Sequence, residues 1–363
     1  MFIEQGRINH YPSEDTTRLG SILKLNTQAI NDLATHVQKY SIDCEWSEVG
    51  KLQGAVKQRG TGKMQKFAEA LDAIGQPYRC LNRDDVKAIT GTPHYAGAIH
   101  TPGCVLMNPV KLTRGLATNL PENVTLHDSS PITRFDQKGT FFSIDLSHAK
   151  ALSNIRSQNV LMCTNAFTPE FGYLRSRIVP VLTFASITRP LTDAEMQTYG
   201  GQLDWGLTPA DPGGTTLRMT QDRRLLIRNQ YDYADRYSIK HKTLNKVRLK
   251  HRLSFNTRYP SLEHVPFTCT WGGVCALSRN HVSYFGKLAN RVWGSMCHNG
   301  VGVARGTISG RLLAEAATGQ NSELLSNMFS VSSTPAINPP KPLLSLGVRA
   351  RLKAAAWESK EEI

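Results

Sequence analysis

The segment from His298 to Glu315 constrains the fold of this chain more than any other. Asn299-Gly300 has the composition of a tight turn, and a helical pattern begins directly after it. Gly302, Gly306 and Gly310 recur every four residues, so they share one face of that helix. A glycine inside a helix costs about 1 kcal/mol relative to alanine unless something must approach the backbone closely. Spacing alone leaves two interpretations open: a helix packed tightly against protein, or a helix approached by a flat ligand.

The beginning of the same helix suits an anionic group. The first backbone N–H groups of a helix have no partner inside it, and the helix dipole makes this end positive. Phosphates and other anions bind at such ends. In a flavoprotein, the edge of the reduced ring that carries N1 and C2=O is negatively charged, so this helix end could stabilise it.

Helix and strand patterns alternate along the chain and predict an α/β protein. Helices are predicted at 13–40, 63–74 (opened by Gly60 to Gly62), 83–90, 110–120 (after Pro109), 237–257 and 301–318. Strands are predicted at 123–127, 140–146, 159–163, 177–188, 216–220, 224–229, 267–271 and 291–295. The run at 159–163 is apolar enough to be buried on both faces. After Phe329 the composition turns to Ser, Pro and Lys, which predicts a loosely attached tail ending in a short helix.

Composition excludes several classes of protein. The chain has 363 residues, 43 Lys+Arg against 29 Asp+Glu, a formal net charge of +14 and 40% hydrophobic residues, which is typical of a folded globular protein. No apolar run is long enough to span a membrane, and the first residues lack the apolar region of a secretory signal. Seven scattered cysteines without a C-x-x-C pair argue against a disulfide framework and a zinc site. We therefore expect a cytoplasmic protein without metal.

Several motifs, which follow the family's order along the chain, resemble the FAD-dependent D-amino-acid oxidase (DAO) superfamily. Near the C-terminal end these are Thr270-Trp271-Gly272-Gly273, Phe285-Gly286-Lys287-Leu288, Gly294, Asn299-Gly300-Val301-Gly302-Val303 and Ser309-Gly310-Arg311-Leu312-Leu313-Ala314-Glu315. Upstream they are Asp43-Cys44-Glu45-Trp46 with Gly50-Lys51-Leu52, the run from Asn108 to Ala117, and the run from Leu161 to Thr168 with Ile178-Val179-Pro180-Val181. Within the superfamily, the gamma-glutamylputrescine oxidase branch is the most similar.

The resemblance implies a Rossmann-like FAD-binding domain, N-terminally incomplete because its first βαβ unit is missing, interleaved with a mixed-sheet substrate domain. The FAD-binding domain would comprise residues 1–40, 108–180 and 280–334, and the substrate domain residues 41–107 and 181–279, with 335–363 as a tail. The activity implied is oxidation of the C–N bond of a small-molecule amine to an imine, with FAD as cofactor and oxygen or another electron acceptor.

The resemblance also assigns site residues. Thr164, Asn165 and Ala166 would lie near the cofactor at the end of a strand, and Trp271 and Gly272 beside the flavin. Trp271 could equally be a core or interface residue. The residues bordering the flavin ring would be His298, Asn299, Gly300, Val301, Gly302 and Val303. His298 would be the catalytic candidate by its position, either accepting a proton or serving as a hydrogen-bonded structural histidine.

The chain departs from the family pattern at three places. The family opens with a strand, a G-x-G-x-x-G turn and a helix that hold the FAD pyrophosphate. Here the only candidate for this turn, Gly60-Thr61-Gly62, has Gln65 in place of the third glycine. Cys275 stands where amino-acid oxidases carry an arginine for the substrate carboxylate, and Arg228-Asn229 replaces a glycine pair. The cysteine favours an amine that lacks an α-carboxylate.

Two alternatives remain open. The chain could be a non-catalytic remnant of the family in which most of the first nucleotide-binding unit is absent. It could also be a basic binding protein, because a run of cations between Lys240 and Arg252 adds to the positive net charge. The tyrosines of this region precede the run instead of interleaving with it, so we expect a solvated helix face and no nucleic-acid partner.

Overall fold

The computed structural model describes residues 2–4, 16–147, 152–211, 213–235 and 237–362. Its helices are α1 Thr16–Lys39, α2 Gln58–Ala73, α3 Arg83–Thr90, α4 Pro109–Thr118, α5 Asp193–Tyr199, α6 His241–Arg258, α7 Gly302–Ala317, α8 Glu323–Val331 and α9 Lys341–Glu358. Strands β1 to β9 are Phe2–Glu4, Lys51–Ala55, Arg79–Leu81, Gly97–Thr101, Cys104–Leu106, Ile132–Lys138, Phe141–Ser147, Leu152–Ser157 and Val160–Met162. Strands β10 to β16 are Val179–Thr188, Trp205–Pro209, Thr216–Met219, Leu225–Tyr233, Phe267–Leu277, Tyr284–Ala289 and Val292–Met296.

The larger sheet has eight strands in the order β14-β10-β13-β12-β11-β2-β4-β3. Its strands come from two separate stretches of the chain, and only β2 and β11 pair in parallel. The ten-residue β10 is rich in β-branched and aromatic residues. It pairs with β14 on one side and with β13 on the other. Helix α6 covers one face, where Phe255 and Leu207 are fully buried in the same apolar cluster.

A smaller half carries two three-stranded sheets. One has the order β15-β16-β9, with β16 and β9 parallel, and the other is the antiparallel meander β6-β7-β8. Helices α1, α7 and α8 pack together beside them around Leu25, Leu33, Ile308 and Leu312. The 3.6-residue period of leucine and isoleucine in α1 explains this packing, because it aligns them on one face.

Several predicted elements are confirmed. The α/β class and the mixed sheet are present, and α3 has the predicted bounds. Asn82 caps that helix in a capping box, and Gly91 ends it at φ 70°. Pro109 occupies the first position of α4, where its missing N–H costs nothing. Helix α1 is described from Thr16, so the predicted cap at Ser13 lies outside the described residues.

Three local predictions are wrong. Residues 123–127 form no strand, because no neighbouring strand accepts their hydrogen bonds and Leu126 is exposed. Gly60 and Gly62 lie inside α2, which begins at Gln58, instead of preceding it. The strand at 159–163 is shortened to β9 and lies at the edge of its sheet, with Leu161 42% exposed, so it is not buried on both faces.

The tail is attached more firmly than the sequence indicates. It contains the 18-residue α9, and residues on both sides of that helix are buried. Before the helix, the backbone N–H of Asn338 donates to the Ser176 carbonyl over 2.6 Å. After it, the Glu362 carbonyl accepts hydrogen bonds from Thr215 and from the buried guanidinium of Arg258. Polar backbone contacts of this kind leave no periodic pattern in a sequence.

No helix in the described part of the chain has both the length and the apolar character needed to cross a membrane.

Candidate functional site

A hydrogen bond joins the two segments that the sequence places beside a cofactor. Asn165, at the start of the 3-10 helix Asn165–Phe171 that follows β9, accepts a hydrogen bond through Oδ1 from the backbone N–H of Cys297 over 3.1 Å. Both residues have positive φ, 45° and 59°. Left-handed backbone at two non-glycine residues is unusual and costs free energy, so the surrounding structure must hold it. The end of β9 and the end of β16 therefore meet at one point.

The turn between β16 and α7 is fixed by the Asn299 side chain. Its Oδ1 accepts a hydrogen bond from the Ser278 N–H over 2.9 Å, and its Nδ2 donates to the Cys297 carbonyl over 2.8 Å. Asn299 and Gly300 both have positive φ, 51° and 85°. Asparagine and glycine adopt this conformation at the lowest cost, which explains their presence here.

Helix α7 starts at the end of this turn without a side-chain cap. Its N-cap residue is Val301, whose side chain has no oxygen to accept hydrogen bonds from the N–H groups of Val303 and Ala304 in the first turn. The N–H groups of that turn and the helix dipole are thus available to an anionic group. This is the part of the predicted site that the local geometry suits best.

The glycine face of α7 is open. A Cβ added to Gly302, Gly306 or Gly310 would meet no other atom within 4 Å in the part of the chain that the structure describes. The opposite face of the helix is buried against α1 through residues such as Ile308 and Leu312. Tight packing against protein therefore does not account for these glycines within the described residues.

Thr164 and Ala166 lie beside Asn165 in well-bonded positions. The Thr164 hydroxyl is 2.9 Å from that of Thr168, and the carbonyl of the buried Ala166 accepts a hydrogen bond from the Tyr237 hydroxyl over 2.9 Å. Burial raises the pKa of Tyr237, so this hydroxyl stays protonated and donates. These contacts hold the end of β9 in place.

Trp271 and Gly272 lie on opposite faces of β14. Trp271 is 42% exposed and pairs with Ala185, so both side chains point to the face of the sheet that α6 does not cover. A Cβ on Gly272 would lie 2.7 Å from atoms of Ile239 and Phe184, on the α6 side. Gly272 is thus required for close packing, and Trp271 alone of the pair lies on the open face. Cys275, four residues further, shares the face of Trp271.

The open face also carries a cation that the sequence analysis did not count as a site residue. Arg228 stacks 5.4 Å from the centre of the Tyr231 ring, and its Nη2 donates to the Thr216 hydroxyl over 2.9 Å. Tyr231 pairs with Thr183, on the same face as Trp271. No carboxylate forms an ion pair with Arg228 among residues 16–147, 152–211, 213–235 and 237–362. The sequence signal for this residue was the replacement of a glycine pair by Arg228-Asn229. Only the pairing of the strands shows that Arg228 lies on the same face as Trp271.

His298 points away from this face into a cavity. The cavity has a volume of about 30 Å³ and lies between α1, α7 and α8, beside Ile22, Ser309 and Met328. Burial, with a contribution from the positive charge of Arg305, lowers the pKa of His298 to about 4. The imidazole is therefore neutral at pH 7, and its buried Nδ1 has no hydrogen-bond partner in the described chain.

The described residues form no recognisable metal site. No group of three or more His, Cys, Asp or Glu side chains is arranged there to hold a metal ion, and all seven cysteines carry free thiols.

Comparisons with known proteins identify the family. A family model described as "FAD dependent oxidoreductase" (DAO) matches residues 4–316. The probable oxidoreductase OrdL of Haemophilus influenzae is 22% identical over 330 residues, which cover 88% of this chain and 73% of that protein.

Solved structures agree in fold. Glycine oxidase from Geobacillus kaustophilus superposes with a TM-score of 0.74 at 13% identity, over 92% of this chain and 87% of its own. Iminodiacetate oxidase (IdaA) from Chelativorans sp. BNC1 gives a TM-score of 0.63 at 15% identity, over 86% and 84%. The family match spans the β9 end, the open sheet face and the turn before α7, and the chain belongs to the DAO family of FAD-dependent oxidoreductases.

Proposed function

We propose that this protein oxidises the C–N bond of an amine, of the gamma-glutamylputrescine type or a related one, to an imine. The observation that carries the proposal is the Asn165–Cys297 hydrogen bond, which brings the end of β9 to the uncapped start of α7. Family membership supports FAD as the cofactor. The substrate carbon loses a hydride and its nitrogen a proton, and the imine then takes up water.

The residues present suit one end of FAD. Backbone N–H groups of Gly302 and Val303 would face the anionic edge of the ring, and the open glycine face of α7 leaves room for a flat group. Bound FAD would supply the hydride acceptor. Oxygen or another acceptor would take the two electrons in the end.

The substrate would lie against the open face of the large sheet. Trp271 offers an exposed aromatic surface there, and Cys275 cannot clamp a carboxylate as an arginine would. Arg228, fixed by Tyr231 and Thr216, could bind an acidic group elsewhere on the amine. These features favour an amine whose reacting carbon carries no carboxylate.

His298 is poorly suited to act as the base of the proposed reaction. With a pKa of about 4 it is neutral at pH 7 and too weak a base to remove a proton from an ammonium group efficiently. Solvent would then accept the proton from the amine.

The pyrophosphate end of FAD lacks a counterpart in the described residues. Gly60-Thr61-Gly62 belongs to α2 and forms no phosphate-binding turn. The free edge of β9 and the glycine face of α7 are open surfaces against which a strand–turn–helix unit with G-x-G-x-x-G would pack. This observation favours the second candidate, a remnant that keeps the fold without catalysis.

Titration with FAD separates the two candidates. Purified protein is examined for flavin absorbance and then titrated with FAD while flavin fluorescence is followed. We expect saturable binding, weakened about tenfold by Asn165→Ala, because the variant loses one buried hydrogen bond at the junction. Asn159→Ala, an exposed asparagine on the approach to β9, is the matched control.

Absence of binding by the wild-type chain at saturating FAD would overturn the enzymatic proposal for this chain and support the remnant. Equal binding by Asn165→Ala and Asn159→Ala would remove the junction from the cofactor site.

A further inference from the structure

Helix α6 has an unusual outer surface. Its 18 residues include no Asp or Glu. Lys242, Lys246 and Lys250 follow one another at four-residue spacing and are exposed. Beside them, Leu249 is 67% and Leu253 70% exposed. We call these five residues the outer face of α6.

The inner side of α6 is fully engaged in the fold. Val247 and Phe255 are buried against the large sheet, and the three arginines of the helix donate to backbone carbonyls. Arg248 donates to the Phe267 carbonyl, and Arg252 donates to the Val265 carbonyl over 2.9 Å. Packing therefore accounts for the inner side and gives no reason for leucines on the outer face.

The charges of the outer face are not neutralised by the rest of the structure. Lys250 donates to the neutral Gln230 side chain over 3.2 Å. Lys242 and Lys246 form no ion pair with a carboxylate in the described part of the chain. A single exposed leucine is ordinary on a protein surface. Two of them one turn apart, flanked by lysines, combine the two contacts that hold a helix at a membrane interface, apolar side chains and cations.

We propose that the outer face of α6 binds the surface of an anionic lipid bilayer. The lysines meet the headgroups, and the two leucines enter the boundary between headgroups and acyl chains. The net charge of +14 adds long-range attraction to the same surface. This proposal is independent of FAD binding.

Nucleic acid and a second copy of the chain fit less well. Nucleic-acid surfaces combine cations with aromatic side chains on which bases stack, and the only aromatic residue of α6, Phe255, is buried. Two outer faces placed against each other would bring like charges together. Exposed leucines also contribute nothing to contacts with the phosphates of a nucleic acid.

Vesicle flotation tests the proposal with the full chain. Vesicles of phosphatidylcholine alone are compared with vesicles containing phosphatidylglycerol. We expect binding to the anionic vesicles only, weakened about tenfold when salt is raised from about 50 to about 300 mM, because screening shortens the reach of the lysines.

Paired variants separate the contributions. Lys242→Glu/Lys246→Glu should abolish binding, whereas Lys66→Glu/Lys87→Glu, which makes the same change in net charge at exposed sites elsewhere, should retain most of it. Leu249→Ser/Leu253→Ser should weaken binding about tenfold. Leu343→Ser/Leu346→Ser, at two exposed leucines of α9, is the matched control. All eight positions are exposed, so circular dichroism should show each variant folded.

Three results would overturn the proposal. They are absence of binding to anionic vesicles at low salt, equal losses in an α6 variant and its control, and binding to a labelled oligonucleotide without binding to vesicles.

Discussion

The two halves of the molecule differ in how completely their secondary structure is covered. The eight-stranded sheet pairs β10 and β14 over almost their whole length, and its cluster around Leu207 and Phe255 is closed. Among the described residues, the β15-β16-β9 sheet has an unpaired edge, and the α7 helix beside it has a row of glycines with nothing packed on them. The difference teaches that the large half is a closed core, while the smaller half leaves parts of its described surface uncovered.

The strongest test of this contrast removes a core side chain from the large half. Phe255→Ala should lower the free energy of unfolding by about 3–5 kcal/mol, because it leaves a cavity in a closed cluster. Phe329→Ala, at a half-exposed phenylalanine beside the smaller half, should cost far less. Urea denaturation measures both. Similar losses would mean that the two halves are packed alike.

A lower pH should destabilise the large half through protonation of His251. This fully buried imidazole accepts from or donates to Ser186 at 2.8 Å through Nδ1, and burial lowers its pKa to about 4. Because an unfolded histidine has a pKa near 6.5, the unfolded state binds the proton first as pH falls. The stabilisation is present above about pH 6.5 and is lost towards pH 4, by about 3 kcal/mol.

His251→Gln should therefore flatten the dependence of unfolding free energy on pH between about 6.5 and 4.5, whatever its effect at pH 7. The exposed His127→Gln is the control. An unchanged slope in His251→Gln would show that its imidazole is protonated in the folded protein.

Removal of residues 359–363 tests how far the tail completes the large half. It deprives the buried Arg258 and Thr215 of the Glu362 carbonyl, and we expect a loss of about 2 kcal/mol. Glu361→Ala, which breaks an exposed ion pair with Lys57, should change stability by less than about 1 kcal/mol. Thermal denaturation compares the two. Equal effects would mean that the tail is bound only at its surface.

Two glycines give the smallest and sharpest comparison. Gly306→Ala should stabilise the protein by up to about 1 kcal/mol, because alanine favours the helix and meets no atom within 4 Å. Gly54→Ala should destabilise it, because the new Cβ would lie 2.8 Å from Leu207. If FAD binds where we propose, Gly306→Ala should also weaken its binding. A destabilising Gly306→Ala would show that the α7 face is covered in solution.

Sequence reasoning succeeded where local chemistry decides the structure. The cap at Asn82, the proline at the start of α4 and the apolar period of α1 all act within a few residues. It failed where pairing decides. The apolar pattern at 159–163 does not show that β9 lies at the edge of its sheet. The pattern at 123–127 does not show that the described residues offer it no partner strand.

The candidate site likewise has parts that could be predicted from the sequence and parts that could not. The turn at Asn299-Gly300 and the helix after it could be located from turn residues and glycine spacing. Which side of β14 carries Trp271, and that Arg228 lies on the same face, depends on the register of three strands. The direction of His298, away from that face, depends on helix packing that no motif encodes.

The docking of the tail sets an order on folding during synthesis. Residues 359–362 are translated after every strand of the large sheet, yet the guanidinium of Arg258 needs the Glu362 carbonyl. Until those residues have been made, a buried cation in the large half lacks one of its acceptors. This half can therefore reach its final form only after Glu362 has been synthesised, 85 residues after its last strand ends at Leu277.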